Sequence, residues 1–409
     1  RDVRDLAVTP DSQGFTRDWL RRFCAAEALS LLPQDDPRVK RARLSVAQGY
    51  GFGMATDDEA EAPADAPDAQ GPHSVWLDAF TRKPADLYSH PAILAAARLI
   101  EDYAAKGEKV LVFGRFLKPM GALTRLVDAR EMLGSLRDGR HWPATSVRKE
   151  SVEAVRAASR DPHLGAPTGG IKEINRILAE RYRKWSNNRS TELTRLHREI
   201  EALAQSDDTA AMLVRFLQHD SNELHGDIAG LLEALDTRRA DPATPWTGAE
   251  MLAMFHALLS ELTGEDEDKS SETLQSRLAV YLADYSGRDG NFARMMSGST
   301  APQTRRLLQA AFNRPTSWPM VLLAQSRVGR EGLNLHEACR TVILLHAEWN
   351  PGIVEQQIGR VDRKNSRWLM DLRAWQQGGT SDDPPRIRIH PVVVSGTYDD
   401  HNWQVLKAR

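Results

Sequence analysis

The chain has 409 residues, 54 Lys+Arg against 56 Asp+Glu, 41% hydrophobic residues and two cysteines. That length suggests two or three domains of about 100–200 residues each, and the apolar share excludes wholesale disorder. A formal net charge of −2 excludes a uniformly basic nucleic-acid binder but leaves room for a local basic face.

Cys24 and Cys339 form no C-x-x-C pair, so neither a disulfide framework nor a cysteine zinc site is expected. No apolar run approaches the roughly 18–20 residues of a membrane span. The chain starts Arg-Asp-Val without a leader-like segment, which reads as a piece of a longer cytoplasmic protein.

In chain order, residues 16–32 predict an amphipathic helix with Trp19, Leu20, Phe23 and Ala26 at helical spacing. Residues 56–72, rich in Ala, Asp, Glu and Pro, predict a linker. A helix is expected over 91–105, then the buried-type strand KVLVF at 109–113, then a helix from about Pro119 past Leu126.

From about 130 to 289 no strand is expected. Ile171, Ile174, Leu178, Tyr182 and Trp185 share a helix face. Leu193, Leu196, Ile200 and Leu203 continue it beyond Asn187-Asn188, which predicts a helical hairpin or a kinked long helix. Further helices are expected over 209–217, 223–235, 249–262 and 272–285. Residues 148–205 carry 12 basic and 8 acidic side chains, against 6 and 17 for 207–290, so only the first stretch suits a nucleic-acid backbone.

After Asn291, strands are expected at 320–324, 341–345 and 387–394, with helices over 302–312, 353–359 and 398–406. Strand–helix alternation split by an all-helical block predicts an α/β domain with a parallel sheet, flanking helices and a large all-helical insertion.

The chemistry-bearing stretch is QQIGRVDR, residues 356–363, placed at the end of a helix. Spacing of three would put Arg360 and Arg363 on one helix face, where two guanidinium groups can meet the charge of a transferring phosphoryl group. An exposed, ion-paired helix end fits the same pattern. Upstream, SRVGREGLNLHEA (326–338) follows a strand, and its glycines would let backbone N–H groups approach phosphates. TVILLHAEWNP (341–351) runs into Trp-Asn-Pro, and SGSTAPQTR (297–305) precedes a helix with Pro302 in its first turn.

The order and wording of these motifs resemble the C-terminal RecA-like lobe of superfamily-2 helicases. Within them they resemble the Swi/Snf-type translocases on double-stranded DNA, nearest the bacterial branch that includes the RNA-polymerase-associated ATPase. KVLVF corresponds to motif IV, Gly298-Ser299-Thr300 with Arg305 to the G-S-T element, and Trp349-Asn350-Pro351 to the family's Trp-Asn-Pro. Gln356, Gly359, Arg360 and Arg363 correspond to motif VI.

The resemblance implies that Arg360 and Arg363 reach the γ-phosphate of ATP, with Gln356, Glu331, Gly332 and Asn334 as nucleotide-side residues. It also implies DNA contacts through Ser326, Arg327, Gly298, Ser299, Thr300, Arg305 and Trp349. Trp349 is equally placed to be a buried anchor after its strand. Arg330 departs from the family, where Gly is common.

Domains are then expected as an N-terminal helical segment (1–55), an acidic Ala/Pro-rich linker (56–88), the RecA-like lobe in two parts (89–130 and 291–409), and a helical insertion (131–290). A Walker A loop needs Gly-Lys-Ser/Thr, and the chain contains no Gly-Lys dipeptide. Asp58-Glu59 and Asp266-Glu267 lie in acidic runs, not after strands. The nucleotide and its Mg2+ would therefore be held mainly by an N-terminal ATPase lobe outside this chain, and the chain alone would be inactive.

No resident metal site is expected, since His219 and His225 flank Asp220 and Glu223 without a standard ligand spacing. Tyr182 and Trp185 beside Arg181, Arg183 and Lys184 suit either nucleic-acid stacking or a helix core. The insertion is expected to contact DNA or a protein partner through 148–198. Two other readings remain at this level: a non-catalytic helicase-derived binding module, and a motor subunit of an anti-phage or restriction system.

Overall fold

The computed structural model describes residues 1–8, 17–31, 75, 76, 79, 87–204, 207–217, 226–236, 245–263, 276–279, 282, 292–315, 318–326, 333–346, 348, 350–378, 383–396 and 398–408. Most of the expected linker lies outside them, as does most of the helix expected over 272–285, of which 276–279 and 282 are helical. The described residues fall into two compact units. One comprises Arg1–Val127, Arg294–Gly298 and Val321–Arg409; the other comprises Asp128–Ala293 and Ser299–Met320.

The first unit is built on a seven-stranded sheet. Its strands are β1 (Asp2–Val3), β2 (Leu6–Val8), β3 (Lys109–Gly114), β4 (Ala293–Met296), β5 (Val321–Gln325), β6 (Cys339–Leu344) and β7 (Arg388–Val394). Their order is β1-β7-β6-β3-β5-β4, with β2 also on β7. The pairs β3–β5, β3–β6, β6–β7, β1–β7 and β2–β7 are all parallel. KVLVF therefore lies at the centre of the sheet, with Val112 opposite Leu323 on one side and Ile343 on the other. Every residue of β3 is buried, as a strand covered on both faces requires.

This is the parallel α/β architecture expected from the sequence. The chain leaves the sheet after β3, forms a helical block, and returns to the sheet at β4.

Helix α1 spans Arg17–Ser30. Helix α2, Pro91–Ala104, packs on β2, β3 and β7. It opens with Pro91 in its first turn and with Nδ1 of His90 accepting the Ala92 amide at 3.2 Å, an arrangement that satisfies one of the orphan donors. Helix α3 spans Leu117–Arg137.

Two strands and a bond network hold the N-terminus to the sheet. Nδ1 of His390 meets the Arg4 carbonyl at 3.1 Å. A carbonyl only accepts, so Nδ1 carries the proton and Nε2 accepts from the Tyr103 hydroxyl at 2.8 Å. Burial pushes the pKa of His390 below the usual imidazole range, which suits this neutral form.

The second unit is helical: α4 (Val152–Ala158), α5 (Gly170–Leu203), α6 (Asp208–Leu217), α7 (Gly226–Asp236), α8 (Gly248–Thr263) and α9 (Pro302–Phe312). Its core gathers Leu196, Ile200, Leu213, Leu231, Leu235, Trp246, Phe255 and Leu258, all nearly inaccessible. Trp246 is held by charge as well as packing. Its Nε1 donates to Asp236 at 2.9 Å and its amide to Glu192 at 3.1 Å, while Arg189 bridges the same two acids.

Of the expected hairpin or kinked long helix, α5 overturns the hairpin, because it is one helix that runs unbroken for 34 residues. Asn187 and Asn188 are exposed, and an exposed Asn costs a helix only a few tenths of a kcal/mol. In the first unit, helices α10 (Pro351–Ile358), α11 (Arg367–Gln376) and α12 (Tyr398–Ala408) complete the chain, with α11 against β6 and α12 against β7.

Candidate functional site

In parallel α/β sheets, ligands bind beyond the carboxyl ends of the strands, and the expected motifs gather there. At the end of β5, Ser326 donates its amide to the Gly114 carbonyl at 2.9 Å, and the Leu345 amide beyond β6 donates to Phe113 at 2.9 Å. The exits of β3, β5 and β6 are thereby stitched together.

Ser326, expected against a DNA phosphate, is instead buried. Its hydroxyl donates to the Gly114 carbonyl at 3.2 Å and accepts from Nε2 of Gln357 at 3.2 Å. The buried glutamine of motif VI is therefore Gln357, while Gln356 is exposed. Periodicity could have shown this, since Val354, Gln357, Ile358 and Val361 follow i, i+3, i+4, i+7.

The Trp-Asn-Pro element has a local structural role. Oδ1 of Asn350 accepts the Gly352 amide at 2.8 Å and Pro351 fills the first turn, so this dipeptide starts α10. Trp349, Arg327, Glu331 and Gly332 lie outside the described residues, as do Gly329 and Arg330.

Helix α10 ends at Ile358, with Gly359 as its C-cap. Arg360 and Arg363 therefore sit in the turn beyond the helix, and the shared helix face expected from their spacing is not formed. Gly359 suits the crowding, because a Cβ there would come 3.1 Å from the Glu355 carbonyl oxygen. The turn closes at Asn365, whose φ of 63° is left-handed, a conformation Asn tolerates better than most residues.

The segment 333–336 and the turn after α10 are tied together by hydrogen bonds. The Leu335 amide donates to the Arg360 carbonyl at 3.3 Å, the Arg367 amide to the His336 carbonyl at 2.7 Å, and Nη1 of Arg360 to the Leu333 carbonyl at 3.4 Å. Asn334, half-buried, lies within this segment.

Charge is the notable property of this turn. Arg360 is buried, and its Nε has no hydrogen-bond partner among the described residues. Nε of half-buried Arg363 donates to the Gly359 carbonyl at 3.3 Å. Burial, then the charge of Arg363, lower the pKa of Arg360; burial also lowers that of His336, with Arg363 adding to the fall.

The acids nearest in sequence face elsewhere. Arg1 takes Glu355 at 2.6 Å and Asp362 at 3.2 Å. Among the described residues neither guanidinium group of this turn is ion-paired to a carboxylate, an arrangement that suits a multiply charged anion such as a triphosphate.

At the end of β4, the exposed Gly298 donates its amide to Oε1 of Gln325 at 3.2 Å. Ser299 and Thr300 belong to the helical unit, where Ser299 is exposed and the Thr300 carbonyl accepts from Nε of Arg305 at 2.8 Å. Pro302 opens α9 as expected. Among the described residues no group of three or more His, Cys, Asp or Glu could hold a metal ion, and no helix is long and apolar enough to cross a membrane.

Comparison with known proteins bears on the same stretch. Residues 257–365 match the family model described as the helicase conserved C-terminal domain, a span that includes Ser326, Gln357, Arg360 and Arg363. The chain is 35% identical over 133 residues to the ISWI chromatin-remodeling complex ATPase ISW2 of Saccharomyces cerevisiae, which is 30% of this chain and 12% of that protein. It is 34% identical over 119 residues to a probable chromatin-remodeling complex ATPase chain of Oryza sativa subsp. japonica, or 27% and 11% of the two lengths. It is 29% identical over 131 residues to the human SWI/SNF-related matrix-associated actin-dependent regulator of chromatin subfamily A member 1, or 30% and 12%.

The chain thus matches about an eighth of the length of these relatives. A crystal structure of the C-terminal part of the Fun30 ATPase domain aligns with 73% of this chain and 89% of its own, at 15% identity and a TM-score of 0.22. With so low a score, the fold rests on the sheet itself. Residues 257–365 are thus similar to the helicase conserved C-terminal domain, and about 30% of the chain is similar to a part of ISWI- and SWI/SNF-related ATPases.

Proposed function

We propose that this chain is the C-terminal RecA-like lobe of an ATP-dependent translocase on double-stranded DNA, of the bacterial branch that includes the RNA-polymerase-associated ATPase. Its partner in catalysis would be an N-terminal ATPase lobe of the same protein. The observation that carries this reading is the Arg360–Arg363 turn: two positive groups at the carboxyl end of a parallel sheet, one buried, with the nearby acids engaged by Arg1. In this reading the two guanidinium groups cross the cleft and stabilise the charge that develops on the γ-phosphoryl group of ATP as water attacks it. Mg2+, held mainly by acids of the other lobe, would shield the phosphate oxygens.

The remaining residues take positioning roles. Glu331, Gly332, Asn334 and Gln356 would lie on the nucleotide side. The buried Gln357–Ser326 bond links the arginine turn to the exits of β5 and β3, so lobe closure around ATP would be felt where the strands end. Gly298, Ser299, Thr300, Arg305, Arg327 and Trp349 would contact the DNA backbone, with the hydroxyl of Ser326 supporting them from inside.

The function is tested on the complete protein by measuring ATP hydrolysis with and without linear duplex DNA. Stimulation by duplex DNA is expected. Hydrolysis indifferent to DNA would contradict the translocase reading, and duplex binding without any ATP hydrolysis would favour the non-catalytic binding module instead.

A further inference from the structure

The C-terminal half of α5 carries a surface that the proposed ATPase chemistry does not use. At 100° per residue, Arg183, Lys184, Arg195 and Arg198 fall on one side of the helix, and all four are exposed. The positions between them on that side are Asn187, Asn188, Thr191 and Thr194, also exposed. From 183 to 198 this face holds no carboxylate and no apolar side chain, and at 1.5 Å per residue it is about 22 Å long.

Of the five acids of the helix, Glu173 and Glu180 pair with Arg176, and Glu192 binds Arg189 and the Trp246 amide. Glu199 takes the Gly248 amide and also Arg195 of the basic face, while the exposed Glu201, one turn beyond Arg198, lies 3.9 Å from His197. Arg183, Lys184 and Arg198 are left without a carboxylate partner among the described residues. Neighbouring Arg181 is occupied within the protein, donating to the carbonyls of Ser135 and Leu136 in the last turn of α3 and to that of Arg140 beyond it. The aromatic rings are likewise engaged with the protein, Trp185 stacking on His141 at 4.7 Å with the Arg189 guanidinium 6.0 Å from its ring.

We infer that this face of α5 is a second binding surface for the phosphate backbone of duplex nucleic acid, separate from the motif residues of the sheet. The inference rests on the DNA-translocase reading for the identity of the polymer. Three observations select this occupant. Unneutralised positive charge at both ends of a rod matches a line of phosphates. Amide and hydroxyl side chains between the charges are those that position a backbone without reading sequence. A protein interface needs an apolar or aromatic core, and binding of single strands needs stacking rings, and this face offers neither.

The test uses the complete protein and a labelled random-sequence duplex, with affinity followed by anisotropy between about 50 and 200 mM KCl. The triple variant Arg183→Gln/Lys184→Gln/Arg198→Gln is expected to lose at least roughly tenfold in affinity. Its log–log salt slope should fall by about 2.7, at 0.9 per lost phosphate contact. A control of equal charge change, Lys149→Gln/Arg156→Gln/Arg160→Gln, is expected to stay within about twofold of wild type under the same salt dependence. All three side chains are exposed on the same unit. Unchanged melting temperatures show that both variants fold.

Wild-type affinity and slope in the first variant would overturn the inference while leaving the translocase reading intact. An equal loss in the control would overturn it too, by showing a response to net charge alone. Absence of duplex binding by wild type, with capture of polyglutamate instead, would overturn both the inference and the DNA reading.

Discussion

Single residues decide how the strands of the first unit are held. Glu108, just before β3, receives Arg340 at 2.8 Å and Arg388 at 2.8 Å, so one carboxylate joins the starts of β6 and β7 to the central strand. Burial alone would raise its pKa, but the bonds to the two guanidinium groups prevail and hold it below the usual carboxylate range. Because the folded-state pKa is the lower one, this stabilisation is full above the unfolded value and is lost as pH falls through the folded value. Glu108→Gln is expected to destabilise the protein by about 2 kcal/mol, since two half-buried cations lose their anion. Chemical denaturation at neutral pH measures this, and an unchanged midpoint would contradict it.

His346 works with the same sign for a different reason. Burial, helped by His90 and Arg115, pushes its pKa down to about 3, so the folded protein keeps it neutral where the unfolded chain would protonate it. Stability should therefore fall below about pH 6.5, by up to roughly 1.4 kcal/mol per pH unit for this one group. His346→Asn should show a shallower loss between pH 6 and 4, at roughly the scale of one proton. An identical slope in the variant would show that His346 does not carry the effect.

The elements show which parts of the fold are legible in the sequence. KVLVF reads as a buried strand because both of its faces are covered, and the start of α9 is marked by Pro302 in a first turn. The long helix is obscured at Asn187-Asn188, where two weak helix formers are tolerated because they face water while the apolar face continues beneath them.

Strand β4 carries no alternation to detect and includes a buried arginine, Arg294. Strands β1 and β2 are short and charged at the flanks, and become strands only by pairing with β7. At the site, the arginines are legible as a motif but their setting is not. Spacing three fits a helix, whereas α10 ends at Ile358 with Gly359 as its cap, before either arginine is reached.

Arg181 is a case of an element secured from a distance. Its guanidinium caps two of the last carbonyls of α3, those of Ser135 and Leu136, and also donates to the Arg140 carbonyl beyond the helix, a fork that a lysine cannot reproduce. Arg181→Ala is expected to cost about 1–2 kcal/mol, and Arg181→Lys most of the same amount. Full recovery of the thermal midpoint by lysine would contradict the cap.

At the scale of the whole molecule, the near-zero net charge is an average over unlike parts. Residues 207–290 carry 17 acids and 6 bases, whereas 291–409 carry 16 bases and 10 acids, and only this division makes a phosphate-binding protein compatible with the total. The chain also supplies only one half of the proposed catalytic site, since it contains no Gly-Lys-Ser/Thr loop for the phosphates. In the proposed function its contribution would be concentrated in one turn, Arg360 to Asn365, which is held by the backbone bonds of Leu335 and Arg367 and whose adjacent acids, Glu355 and Asp362, pair with Arg1.

The measurement that bears most directly on this account is steady-state ATP hydrolysis on saturating duplex DNA by the complete protein carrying Arg363→Ala, with Arg360→Lys alongside it. If the turn stabilises the transferring phosphoryl group, kcat falls by about 10³ or more in Arg363→Ala while KM for ATP changes far less, and Arg360→Lys remains strongly impaired because an ammonium lacks the planar fork. A folded Arg363→Ala protein that hydrolyses ATP at the wild-type rate would contradict it.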